Sequence, residues 1–270
     1  MRALSIRAVL LPLLALVSVC SMSFAASDDE RFQQILTEYQ ERFAKDPTDS
    51  VPVADFIEEC YASGLGEKAH AYYTQKVQEE PDNRMSWYGL GRCLLEARSY
   101  EEAVAAFERA ASIDPTWYIP HRNLGYAFSE LGQWDQAAAA FETALALKPD
   151  DACSLRWLCA AYWELERYDE VVKHATRLVE IEPEAGDYYA LGVSYLRLGK
   201  HDEAAMWLER VPRGSEWYYW AQEQMLKIRP LRVGPWLLLV YSVSQLPELV
   251  AALLLVFLTR LVLTRWRRPT

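Results

Sequence analysis

Three arginines are the residues whose type and spacing first suggest chemistry. Arg92, Arg122 and Arg156 lie 30 and 34 residues apart in a chain with 38 Asp plus Glu against 28 Lys plus Arg. In an acidic protein, three guanidinium groups could hold the carboxylates of a partner through paired hydrogen bonds. The alternative is that each arginine pairs with a nearby acid of the chain itself; these acids are Glu96, Glu130 and Glu164.

Motifs for catalysis and metal binding are missing from the sequence. It contains no phosphate-binding loop, no HExxH pattern and no GxSxG pattern, and the four histidines are scattered. Ser194 follows Gly192 inside a predicted helix, where a strained nucleophile elbow cannot form. The sequence therefore predicts a binding protein that is not an enzyme and that has no cofactor or metal site.

Cysteines offer one further reaction, disulfide formation. Cys153 and Cys159 are six residues apart on one predicted helix, which places them on different sides and argues against a bond. Cys60 and Cys93 lie on neighbouring predicted helices, so a disulfide between them stays open in an oxidising compartment. Buried thiols are the favoured state of these residues.

The two ends of the chain have the composition of membrane-directed segments. Arg2 and Arg7 precede an apolar run over 8–19, and small residues around Ala25 complete a predicted signal peptide over 1–26. Near the other end, 24 residues over 236–259 contain a single charge, and a helix of that length spans roughly 36 Å. The sequence predicts a membrane anchor over 233–263.

Charge sets the expected orientation of this anchor. Four arginines follow the apolar run, which places the tail over 264–270 in the cytoplasm and the rest of the chain on the exported side. The small-residue cleavage site favours a bacterial inner membrane, with the central region in the periplasm. Residues 27–232 carry 22 basic and 37 acidic side chains, a net charge of −15 that argues against nucleic-acid binding.

Glu248 is the one charged residue in the predicted span. It lies beside Pro247 near the middle of the apolar run, where an ionised carboxylate is costly. One interpretation is a contact with another membrane protein. The other is a kinked helix with a protonated Glu248, or a helix shifted so that this side chain reaches an interface.

A period of 34 residues organises the region between the two ends. Prolines recur at this interval, and small and aromatic residues recur in phase with them. The prolines are Pro81, Pro115, Pro149 and Pro183. Gly91, Gly125 and Gly192 fall inside helical stretches, where glycine is unfavourable, so close helix approach is the expected reason for them. Each unit therefore reads as two packed helices followed by a proline stop.

The unit over 84–117 carries the clearest pattern: Trp87, Leu90, Gly91, Leu94, Ala103, Phe107, Ala110 and Pro115. In this respect the chain resembles the tetratricopeptide repeat family. The resemblance covers 50–216 and implies five repeats, over 50–83, 84–117, 118–151, 152–184 and 185–216. It implies an all-α superhelix, with a capping helix in 27–49 and a second capping helix and linker in 217–232.

The resemblance also implies a binding face, because this family binds partners mainly with the inward side of each first helix. In register, that face holds polar and aromatic residues: Tyr88, Arg92, Arg122, Asn123, Tyr126, Arg156, Trp157, Trp163 and Tyr189. Asn123 alone matches the places where some relatives grip a terminal carboxylate.

These observations predict a membrane-tethered scaffold that binds protein partners on the exported side through its groove. The expected partner presents an acidic or C-terminal segment, and the oligomeric state stays open. The alternative function is an assembly factor or chaperone for a membrane complex, which would use both the groove and the transmembrane helix.

Overall fold

The protein is all-helical in the part that the structure describes, residues 27–228 of a computed structural model. Twelve helices and no strand occur in this range. Helix α1 covers 27–43. The others are α2 Val51–Ala62, α3 Gly66–Glu79, α4 Arg84–Glu96, α5 Tyr100–Ile113, α6 Tyr118–Glu130, α7 Trp134–Leu147, α8 Ala152–Glu164, α9 Tyr168–Ile181, α10 Ala185–Arg197, α11 His201–Leu208 and α12 Trp217–Ile228.

The helices belong to two compact units that divide between Arg167 and Tyr168. This boundary falls inside the predicted repeat 152–184, whose first helix α8 belongs to the first unit and whose second helix α9 belongs to the second. Within the first unit, α4 packs on α5 and α6 on α7, and first helices of successive repeats also touch. The predicted pairing of helices is therefore confirmed in each unit by itself.

Helix ends follow the prolines and a recurring turn. Helices α3, α5, α7 and α9 each end two residues before a proline, as the sequence predicted. Five turns inside the repeats place one residue each in the left-handed region, with φ between 57° and 75°. These residues are Gly64, Arg98, Gly132, Glu166 and Gly199. The next residue in each turn donates its amide to a carbonyl five residues earlier, which closes the end of the first helix.

Close contact between helix pairs explains the glycines inside helices. A methyl group at Gly91 would lie 2.6 Å from the Phe107 ring, and one at Gly125 would lie 2.6 Å from the Phe141 ring. Both phenylalanines are fully buried. The glycines are therefore the surfaces on which the rings of the paired second helix rest, and the predicted close approach is confirmed.

The first repeat solves the same packing problem differently. Ile57 stands where the later repeats have glycine and is itself fully buried. The Tyr73 ring lies instead against Gly89 in the following helix, where an added methyl group would overlap it. Helix α1 covers this end of the unit, with the Tyr39 ring stacked 4.9 Å from the ring of Phe56. The predicted capping role of the first helix is confirmed.

In the second unit, α9 and α11 pack on α10, and α12 packs on both α10 and α11. Leu208 rests on Gly192, where a methyl group would lie 2.5 Å from its Cγ. Helix α11 stops at Leu208 although the predicted repeat extends to 216. Pro212 and Gly214 follow within six residues, and neither supports a continuing helix.

Within residues 27–228, no helix has both the length and the apolar character needed to cross a bilayer. The predicted signal peptide over 1–26, the predicted anchor over 233–263 with Glu248, and the tail over 264–270 lie outside the described residues.

Candidate partner-binding site

A cavity of about 390 Å³ opens on the first unit, between its first helices α2, α4, α6 and α8. Charged, polar and aromatic side chains line it: Glu58, Arg92, Glu96, Arg122, Asn123, Tyr126, Cys153 and Trp157. We call this cavity the groove. Five of its residues are among those that the sequence assigned to the binding face.

Arg92 lies in the middle of an ion-pair cluster in the groove. Its Nη2 donates to Oε1 of Glu58 at 2.9 Å and lies 3.7 Å from Oε1 of Glu96. The guanidinium side chain is 19% exposed, whereas the side chain of Glu58 is 63% exposed. Pairing with Glu96 was one of the sequence-based alternatives; Glu58, one repeat earlier, was missed.

Arg122 pairs with a different acid from the one the sequence suggested. Its Nη1 lies 3.5 Å from Oδ1 of Asp151, not beside Glu130. Asp151 is the N-cap of α8 and accepts bonds from the amide and the hydroxyl of Ser154, at 3.0 and 2.6 Å. Because the carboxylate is held by the helix start, it is a fixed counter-charge for Arg122.

Two aromatic rings form an apolar wall of the groove. Tyr126 and Trp157 meet edge to face, with ring centres 5.0 Å apart and planes at 89°. Both side chains are partly exposed. Burial, and then the negative charge of Glu130, raise the pKa of Tyr126, so its hydroxyl stays protonated at neutral pH.

Two residues assigned to the binding face are largely buried. Tyr88 is 2% exposed and packs with its ring centre 5.2 Å from that of Trp117. Asn123 is 6% exposed, and its amide donates to the carbonyl of Ile119 at 2.8 Å, so its donor serves the helix. A family register gives the helix face, but it does not say how far each side chain reaches from it.

The remaining predicted residues fall outside the lining of the groove. Arg156 and Trp163 are partly exposed on α8, in the same unit. Tyr189 belongs to the second unit, where its ring centre lies 5.2 Å from that of Trp217. The structure thus brings Arg92, Arg122, Asn123, Tyr126 and Trp157 together around one cavity.

The cysteines differ sharply in access. Cys60, Cys93 and Cys159 are buried free thiols, while Cys153 is an exposed thiol in the groove. Burial raises the pKa of Cys60 to about 12, and it raises the pKa of Cys93 further, so neither forms a thiolate at neutral pH. Among the described residues, no group of three metal-ligating side chains could hold an ion.

A second cavity, of about 370 Å³, lies beside the groove. The loop before α2 and the starts of α2 and α6 contribute to it, together with Tyr88 and Trp117. Arg122 lines both cavities, and its guanidinium lies 5.7 Å from the centre of the Tyr118 ring. Arg122 is therefore the charged group at the junction between the two.

Comparison with known families identifies the repeats. The tetratricopeptide repeat profiles match residues 61–116, 129–193 and 188–211, which together make up about half of the chain. The chain belongs to the tetratricopeptide repeat family, a class of non-enzymatic scaffolds that bind other proteins. No curated protein matches it in overall sequence.

Solved structures share the fold at low sequence identity. MamA is 19% identical with a TM-score of 0.54, over 63% of this chain and 95% of that one. MamA from Desulfovibrio magneticus RS-1 is 22% identical with a TM-score of 0.53, over 60% and 92%. YrrB, a tetratricopeptide repeat protein with an unusual peptide-binding site, is 19% identical with a TM-score of 0.51, over 72% and 93%. At these identities the likeness concerns the fold.

Proposed function

We propose that the protein is a scaffold that holds a segment of a partner protein in the groove of its first unit. The observation that carries this proposal is the groove itself, an open cavity lined by ion pairs and an aromatic wall from successive helices. A packed repeat protein has no structural need for a cavity with this lining, since its core is closed by rings resting on glycines.

Site-specific photo-crosslinking in cells tests this function. A photo-reactive phenylalanine analogue at Tyr126 should form a defined adduct with a partner, because this side chain lies in the wall of the groove. The matched control places the analogue at Thr143, an exposed position on α7 that does not line the groove. An adduct at both positions, or at neither, would contradict the proposal.

Cys153 provides a second readout on the same sample. It is the exposed thiol of the described residues and lines the groove, so a bound partner should protect it from maleimide. Burial raises the pKa of Cys153, and labelling is therefore best done at mildly alkaline pH. Protection should appear in the crosslinked fraction and be absent in the free protein; a Cys153→Ser variant sets the background.

We also propose that the chain is tethered to the inner membrane. In this proposal the signal peptide over 1–26 is removed, the segment over 233–263 spans the bilayer once, and the repeats stand in the periplasm. The support is the sequence: the single charge in 236–259 and the four arginines after it. A membrane-impermeant maleimide should label Cys153 in intact spheroplasts. Labelling that requires permeabilisation would place the repeats on the other side.

A second candidate function follows from Glu248 in the apolar run. An assembly factor would contact its client through this carboxylate while the groove holds an unassembled segment. Exchange of the predicted span for an unrelated one separates the two functions. A scaffold keeps its Tyr126 crosslink on any anchor, whereas an assembly factor loses the client when Glu248 is replaced by Leu.

The partner that the sequence suggested, one with an acidic or C-terminal segment, depended on unpaired arginines. Arg92 and Arg122 already hold Glu58 and Asp151. An acidic segment would have to displace a carboxylate of the chain from each of them, which costs about as much as it returns. The proposed occupant of the groove is accordingly defined by other groups in its wall.

A further inference from the structure

We infer that the groove selects a basic segment of its partner, one that carries Lys or Arg side chains next to an apolar residue. This inference rests on the proposed function, that the groove binds a partner. It concerns the chemistry of the partner and fails or holds separately from the existence of one.

The exposed charges in the groove are negative. The side chains of Glu58 and Glu96 are 63% and 38% exposed, whereas that of Arg92 between them is 19% exposed. Arg122 is 27% exposed and faces Asp151. A ligand that enters therefore meets carboxylates before it meets guanidinium groups. Glu58 uses Oε1 toward Arg92, and a carboxylate can accept several bonds, so a second cation can be added without breaking the first pair.

The aromatic wall of the groove also suits a cation. A Lys or Arg side chain is attracted to the face of a Trp or Tyr ring. The chain uses this contact elsewhere: Arg84 lies 4.7 Å from the centre of the Trp117 ring, and Lys148 lies 4.6 Å from that of Tyr118. In the groove, Trp157 stands edge to face with Tyr126 at 5.0 Å. A basic side chain can thus pair with Glu58 or Glu96 while a neighbouring apolar side chain packs on this wall.

Long-range charge acts in the same direction. Residues 27–232 carry a net charge of −15, which accelerates the approach of a positive ligand and slows that of a negative one. Part of the binding energy should then depend on ionic strength, because exposed charges more than about 10 Å apart are screened at 0.1 M salt.

Fluorescence anisotropy of the full chain in a neutral maltoside detergent tests the inference. Three probes are compared: twelve-residue peptides with the same leucines and with Lys, Glu or Ser at the remaining places. We expect the Lys peptide to bind, the Ser peptide to bind more weakly and the Glu peptide to bind least. Affinity for the Lys peptide should fall by about tenfold between low and high salt.

The double variant Glu58→Gln, Glu96→Gln identifies the groove as the source of the preference. Loss of two exposed ion pairs should weaken the Lys peptide by about three- to tenfold. The matched control is Glu101→Gln, Glu108→Gln, which removes the same charge from exposed positions on α5 outside the groove and should change affinity by less than about twofold. Equal losses in the two variants would reduce the effect to net charge and overturn the inference.

The outcomes separate the two proposals. A preference for the Glu peptide, or no binding of any peptide, overturns the basic-segment inference. If the Tyr126 crosslink and Cys153 protection persist in either case, the scaffold function stands with a partner of different chemistry. If they are also absent, the function proposed for the groove falls with the inference.

Discussion

The two units of the described chain use large apolar side chains in opposite ways. In the first unit, Phe56, Phe107 and Phe141 are at most 2% exposed. In the much shorter second unit, Met206, Tyr219 and Trp220 are 46%, 69% and 55% exposed. Similar residue types therefore form a closed core in one unit and an open apolar surface in the other.

The neighbouring helices explain this difference. In the first unit each phenylalanine of a second helix has a glycine opposite it, as Phe107 has Gly91. Helix α12 of the second unit has 12 residues, of which Ala221 is the one classed as buried. Unpartnered apolar area of this kind on a repeat protein is typical of a surface with a role in association.

The largest effect should come from exchanging a ring of each kind. Phe141→Ala removes a fully buried side chain and should lower the free energy of unfolding of the first unit by about 3–5 kcal/mol. Trp220→Ala, in the open surface, should change that of the second unit by less than about 0.5 kcal/mol. Hydrogen exchange resolved by peptide, on the full chain, reports each unit separately. Similar losses in both would remove the contrast.

A glycine substitution sharpens the same comparison with a smaller effect. Gly91→Ala forces a methyl group to within 2.6 Å of the Phe107 ring and should cost about 1–3 kcal/mol, more than the gain in helix propensity. Phe107→Leu in the same chain should recover part of the loss. The control is Gly214→Ala in the second unit, where nothing lies within 4 Å of the added methyl group. Denaturant midpoints measure all three, and a neutral Gly91→Ala would refute the packing account.

The turns within repeats offer substitutions of opposite sign at equivalent places. Gly132 has φ of +71° with free space around it, so Gly132→Ala should destabilise by about 1 kcal/mol through backbone strain alone. Arg98 and Glu166 adopt φ of 59° and 57° with side chains that disfavour it, so Arg98→Gly and Glu166→Gly should stabilise by up to about 1 kcal/mol. Thermal melting of the full chain gives both signs; the same sign at all three positions would contradict this reason.

The smallest effect concerns pH. Burial lowers the pKa of His121 below its ordinary value of 6.5. The folded chain therefore binds the proton less readily than the unfolded chain, so the stability contributed by neutral His121 is complete above pH 6.5 and declines as pH falls through that value. His121→Gln should flatten the dependence of the denaturant midpoint between neutral and mildly acidic pH. An unchanged slope would assign the dependence to other groups.

The sequence predicted the helix pairs because their packing is encoded within one repeat. Gly91 and Phe107 both lie in the unit over 84–117, and their 34-residue echoes identify them without any structure. The charge pairs of the groove could not be predicted in this way. Arg92 reaches Glu58 in the preceding repeat, and Arg122 reaches Asp151 at the start of the next first helix. Candidate partners had been sought a few residues along the same helix, where Glu96 alone contacts its arginine in the groove.

Side-chain depth was the other property beyond sequence reasoning. Tyr88 and Arg92 are four residues apart on α4, yet Tyr88 is in the core and Arg92 is in the groove wall. The local signal that was available is Trp117, which ends the same repeat and packs on Tyr88. An aromatic residue just before each first helix can therefore indicate which of its side chains are covered.

The recurring turn has a consequence for how this chain can change in length. Its left-handed residue recurs at intervals of 34, 34, 34 and 33 residues. The one shorter interval leaves three residues between α9 and α10, where the earlier repeats of the series have four, and the turn itself is unchanged. An insertion inside a helix would rotate everything after it by about 100° and carry the groove residues off their face. Natural or engineered variants of this protein should therefore grow or shrink in the loops between repeats, or by whole repeats.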